Sequence, residues 1–99
     1  MILFVLESVK PGLRGELKRW MLEVKAGVFI GSLSARVRDM LWSRIREAVL
    51  TAQATEDHYV GAWMIRPYPN EQGFLLESVG DTGRRALDFD GLTLILERR

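Results

Sequence analysis

The sequence predicts an α+β domain, and three observations carry that prediction. Short apolar runs without a helical period open the chain and return in its second half, two amphipathic stretches of helical period lie between them, and glycine- or proline-rich turns separate the blocks. At 99 residues the chain has room for one hydrophobic core, so a single domain over 1–99 is expected.

Each block has a local reason. Ile2-Leu3-Phe4-Val5-Leu6 is apolar at both alternations and is stopped by Glu7-Ser8 and Lys10-Pro11-Gly12, which reads as a strand buried on both faces. From Pro11, a residue suited to a first helical turn, Leu13, Leu17, Trp20, Met21 and Val24 follow a helical spacing, with Lys10, Arg14 and Lys18 on a solvent-facing stripe. The glycine-bracketed Val28-Phe29-Ile30 reads as a strand. Ser34 is a candidate N-cap for a second helix with Val37, Met40/Leu41, Ile45 and Ala48/Val49 on its core face. Thr51 to Asp57 loses the period and is expected to be a loop. Tyr59–Ile65 and Phe74–Val79 then form a hairpin across Pro67–Gly73, Gly80–Arg85 and Asp88–Gly91 are turn-rich, and Leu92–Leu96 is a last strand.

This order, strand, helix, strand, helix and three strands, fits a split βαβ, ferredoxin-like plait with an extra C-terminal strand. Two helices cover one face of such a sheet, yet the first strand is apolar on both. A face-to-face homodimer would bury the second face, and the last strand could add to the partner's sheet edge.

Charge is distributed unevenly. Between Lys10 and Arg46 nine Lys/Arg face three acids, a local charge of +6, while the rest of the chain holds five Lys/Arg and ten acids, so the total of +1 hides a strong polarity. The absence of cysteine removes disulfides and thiolate metal sites and agrees with a reducing compartment. Met1–Leu6, the longest apolar run, is too short to span a bilayer and lacks the basic flank of a signal peptide, so a cytoplasmic protein without membrane contact is expected.

The residues that could carry chemistry are mostly basic. Lys10, Arg14 and Lys18 share a face of the first helix, and Arg36 and Arg38 stand in the first turns of the second, where cationic side chains and free N–H groups together suit phosphate. Arg84-Arg85, in a glycine-flanked loop, could join them. The competing reading, for Lys18, Lys25 or Arg44 taken singly, is an ordinary solvated face. Glu7, at the end of the first strand, could meet its copy across a dimer axis and hold Mg²⁺, or simply be a solvated carboxylate or a partner for Arg14 or Lys10. His58 stands alone in a loop, Asp88-Phe89-Asp90-Gly91 reads as a turn, and no Ser/His/Asp or Cys/His set can be assembled. Trp20, Trp42 and Trp63 read as core or interface aromatics, and a phosphate-gripping surface without exposed rings favours duplex backbone over single strands.

Leu13-Arg14-Gly15, the run Trp20–Gly31 and the run Ser34–Trp42, followed by Ala62-Trp63, Gly73-Phe74, Gly80, Arg84-Arg85 and Asp88–Leu92, form an ordered set across nearly the whole chain. That set resembles the small CRISPR-associated adaptation proteins, the second core subunit of spacer acquisition, in their type I-E subtype. The resemblance implies a ferredoxin-like homodimer between two dimers of the CRISPR integrase, holding the duplex part of a new spacer. It implies DNA-backbone contacts at Arg14, Arg36, Arg38, Arg84 and Arg85, with Lys18 or Lys10 supporting Arg14, and integrase docking through Arg84–Leu96. In members outside this subtype an acidic residue at the end of the first strand serves a metal-dependent nuclease, and Glu7 occupies that position here; within type I-E the resemblance implies that this chemistry is dispensable. Gly12 and Glu16 depart from a pattern that is often basic, the 51–57 segment is longer than expected, and the tail ends soon after Leu96.

Two functions follow as expectations: a non-catalytic duplex-DNA adaptor for spacer acquisition in antiviral defence, needing no cofactor, or a Mg²⁺-dependent endonuclease or endoribonuclease with Glu7 as its catalytic and metal-binding residue. A regulatory small-molecule domain would not need a +6 segment.

Overall fold

β1 (Ile2–Glu7) runs through the middle of an antiparallel sheet in the computed structural model, which describes residues 1–55 and 60–80. It is followed by α1 (Pro11–Leu17), β2 (Leu22–Lys25), β3 (Val28–Gly31), α2 (Ala35–Thr55), β4 (Gly61–Pro67) and β5 (Phe74–Gly80). The sheet order is β2-β3-β1-β4-β5, and every pairing is antiparallel. This is the ferredoxin-like α+β plait, with β5 added beside β4.

Among the described residues the plait contains one strand that the sequence does not predict. The expected helix from Pro11 through Val24 stops at Leu17, and Leu22–Lys25 is a strand. Two glycines, Gly12 and Gly15, weaken the helix by about 1 kcal/mol each relative to alanine. The Met21 N–H still donates to the Leu17 carbonyl at 2.9 Å, so the helical spacing of the apolar residues persists one turn beyond the helix. Leu17 and Met21 are accordingly buried, but Trp20 and Val24 are about half exposed and do not join the core. The expected last strand at Leu92–Leu96 lies outside the described residues.

α2 starts where Ser34 caps it, its hydroxyl accepting the Val37 N–H at 3.2 Å. Leu41, Ile45 and Val49, spaced by four, are buried against the sheet beside Trp42. The helix does not stop before Thr51, where the loop is expected to begin, but runs to Thr55, with Ala52 still packed on the core. Alanine and glutamine are good helix formers, so loss of apolar period there does not mean loss of helix.

The two faces of β1 serve two clusters. Ile2, Phe4 and Leu6 face the helices with Phe29, Ala62, Met64 and Val79. Val5 lies on the opposite face, which is helix-free among the described residues, with Trp63 and Leu76, and Leu3, Val28 and Ile65 pack against them. The expectation of a strand buried on both faces therefore holds. The registers align Leu22, Ile30, Leu3, Ile65 and Leu76 in one row across all five strands of that face, and Leu22 at the β2 edge is 66% exposed. No helix among the described residues is long and apolar enough to cross a membrane.

Candidate nucleic-acid interface

The hairpin that the helical period concealed organises the basic region. β2 turns into β3 at Ala26-Gly27, where Gly27 has φ +80° and a Cβ would fall on the Leu6 carbonyl oxygen. The Leu6 N–H in turn donates to the Gly27 carbonyl at 2.7 Å, so the turn is seated on β1. A register shift between Glu23 and Lys25 places a bulge in β2.

Glu23 points from this hairpin towards α1. Its Oε2 accepts the Gly27 N–H at 2.9 Å and bonds from Arg14 Nε at 3.2 Å and Nη2 at 2.6 Å, while Lys18 Nζ lies 3.2 Å from Oε1. The Gly27 N–H and then the Arg14 guanidinium hold its carboxyl down to about 2, against an ordinary value of 4.5. Arg14 and Lys18 thus do share one side of α1, as their spacing predicts. That side is turned to the sheet as well as to solvent: the Arg14 side chain is 35% exposed and that of Lys18 59%.

On α2, Arg36 is exposed, and Arg38 donates from Nε to Asp39 Oδ1 at 2.9 Å. Arg44 spans the helices, its Nη1 lying 2.7 and 2.8 Å from the two carboxylate oxygens of Glu16. The residue that departs from the basic pattern on α1 therefore serves as a tie between α1 and α2. Among the described residues, the side chains of Arg19, Lys25, Arg36 and Arg46 take part in no hydrogen bond or ion pair. Of these, sequence reasoning singled out only Arg36. Arg19, Lys25 and Arg46 count in the +6 segment, but nothing in their spacing distinguishes them from cations that folding neutralises.

Glu7 closes β1, paired in register with Gly61, and is half-buried. It lines an open depression of about 390 Å³ together with Ser8, Arg14, Lys25, Gly27 and Val28. A Mg²⁺ ion would need carboxylate and water oxygens there. The rim supplies one carboxylate and two cations, and no group of three His, Cys, Asp or Glu that could hold a metal exists among the described residues. The donor set of a single chain does not fit the ion. Arg84, Arg85, His58, Asp88 and Asp90 lie outside the described residues.

Trp42 and Trp63 are core residues, 7% and 1% exposed, in line with the sequence reading. Trp20 is the exception. It follows α1 in a turn, 47% exposed, directly after the unpaired Arg19.

Fold and charge together define a class: a small ferredoxin-like plait whose cations are concentrated on α1, the β2–β3 hairpin and α2. A family model described as CRISPR-associated protein (Cas_Cas2CT1978) matches residues 1–94. The chain belongs to that CRISPR-associated family.

Proposed function

We propose that this protein serves spacer acquisition in antiviral defence, as a homodimer that grips duplex DNA and scaffolds two dimers of the CRISPR integrase in the type I-E manner. The carrying observation is that the +6 segment folds into α1, the hairpin and α2 with Arg19, Lys25, Arg36 and Arg46 left without acidic partners. Unpaired cations on rigid elements attract a polyanion without reading its sequence. Family membership supplies the setting, and the aliphatic row on the helix-free face supports pairing of two copies through that face.

In this reading Arg36 and Arg38 at the start of α2 and Arg14 and Lys18 on α1 meet the phosphates, joined by Arg84 and Arg85. The test is duplex binding measured across a salt series. The logarithm of the binding constant should fall linearly with the logarithm of salt, by roughly 0.9 per phosphate neutralised, for any duplex sequence. Arg36→Ala should flatten the slope by about one such step per protomer with the fold unchanged. Salt-independent binding, or a slope that Arg36→Ala leaves unaltered, would count against the assignment. Cleavage that EDTA and Glu7→Ala both abolish would instead favour the Mg²⁺-dependent nuclease.

A further inference from the structure

We infer that Glu23 is a fixed counter-ion that limits how strongly α1 grips phosphate, an inference that rests on the duplex-binding reading above. Three features of the site carry it.

The first is anchorage. Glu23 accepts the Gly27 N–H at 2.9 Å, and Gly27 is itself held by the Leu6 N–H, so the carboxylate is tied to the hairpin turn and to β1. It cannot swing aside as a free surface side chain would. Asp39 beside Arg38, with 67% of its side chain exposed, has no such tether.

The second is layering. The Glu23 side chain is 11% exposed, whereas Arg14 and Lys18 above it are 35% and 59% exposed. A phosphate arriving from solvent meets the two cations while the carboxylate remains beneath them. The third is the use of donors. Arg14 commits its Nε–H and one Nη2–H to Glu23, and Lys18 one ammonium N–H, so a phosphate is left the remaining donors of cations that already have an anionic partner.

The net charge of this triad is +1, where Arg14 and Lys18 alone would give +2. Glu23 thus presets the direction of both side chains while lowering the field they present. The same +6 segment therefore contains two kinds of cation: attenuated ones on α1, and unattenuated ones such as Arg36.

The experiment compares the full-length wild-type chain, Glu23→Gln, Arg14→Ala and Arg36→Ala on one duplex of arbitrary sequence across a salt series, with circular dichroism to verify folding. Glu23→Gln should bind roughly five- to tenfold more tightly at low salt, the scale of removing one unit charge a few ångströms from a phosphate. Its salt slope should steepen by about 0.9 per protomer. A folded Glu23→Gln chain that binds no more tightly, with an unchanged slope, overturns the inference while leaving duplex binding itself intact. Should Glu23→Gln fail to fold, Arg14→Ala decides. It should flatten the wild-type slope by clearly less than Arg36→Ala does, and equal losses overturn the inference. A wild-type chain that binds no duplex overturns the duplex-binding reading and this inference with it.

Discussion

Trp42 of α2 lies over Phe4 of β1, their ring centroids 6.0 Å apart and their planes 14° from parallel. Phe4 is wholly buried and Trp42 is 7% exposed, so this stack joins the long helix to the central strand inside the main core. Trp42→Ala should lower the unfolding free energy by about 3–5 kcal/mol, the range for truncating a buried aromatic. Equilibrium denaturation in urea would measure it. A loss below about 1 kcal/mol would mean that the stack contributes little beyond surface coverage. By comparison Arg44→Ala, which removes the exposed tie to Glu16, should cost no more than about 1 kcal/mol.

The β2–β3 turn makes a second prediction. Gly27 combines a positive φ with a backbone oxygen where a side chain would begin. Gly27→Ala should destabilise the chain by at least about 1 kcal/mol, because alanine pays in the folded state for both strain and collision. It should also disturb Glu23, whose carboxylate depends on the Gly27 N–H. Thermal melting tests the first effect, and amide exchange at Gly27 the second. An unaltered melting temperature would show that the turn relaxes freely.

Acid should probe Glu23 directly. Its carboxyl is depressed in the fold, from 4.5 to about 2, so the folded state favours the ionised form. The stabilisation is fully present above about pH 4.5 and is lost as pH falls through that value towards about 2. Glu23→Gln should therefore be less stable than the wild type near neutrality and converge on it at the acid end of this window. Denaturation midpoints collected at descending pH would reveal it. Parallel curves for the two proteins across that window would contradict the assignment.

Strand and helix positions were legible wherever one period ruled alone. β1, with apolar residues at both alternations, and α2 as far as its apolar period lasts, with Leu41, Ile45 and Val49 spaced by four, fall where the sequence puts them. β2 was hidden because Leu13, Leu17 and Met21 keep a helical spacing across a helix, a turn and the approach to a strand. The bond from the Met21 N–H to Leu17 is the physical source of that continuity. The alternation in Leu22-Glu23-Val24-Lys25, closed by Ala26-Gly27, was the competing signal.

The site was legible in charge but not in pairing. Arg14 and Lys18 could be placed on one face from their spacing, yet Glu23, nine positions after Arg14, reaches them only because the hairpin folds back on α1. The alternation around Glu23 signals the strand, but nothing local to Glu23 announces its partners. The same holds for Glu16, which meets Arg44 across 28 residues of chain. Lys25 was counted as charge, but its place on the rim with Glu7 follows from the turn.

The helix-free face gives a prediction for assembly. Leu22 ends the aliphatic row that crosses the sheet and is largely exposed, so a charge there should not unsettle the core of one chain. The wild type should sediment at equilibrium as the proposed dimer, and Leu22→Glu should shift it to monomer while its circular dichroism stays native. Retention of the wild-type sedimentation mass would place the contact between copies elsewhere.

The bulge in β2 has a consequence for polymerisation. Among the described residues β2 is an edge of the sheet, and an edge of regular, unpaired backbone is a template on which further chains can stack without limit. Here that edge is only four residues long, loses its register between Glu23 and Lys25, and carries a charge on either side of the irregularity. Strands from other molecules find no continuous ladder to extend. Growth through the edge into fibres is thereby discouraged, which suits the face-to-face homodimer proposed above, whose two copies would use up their contact surface on each other and stop at a closed pair.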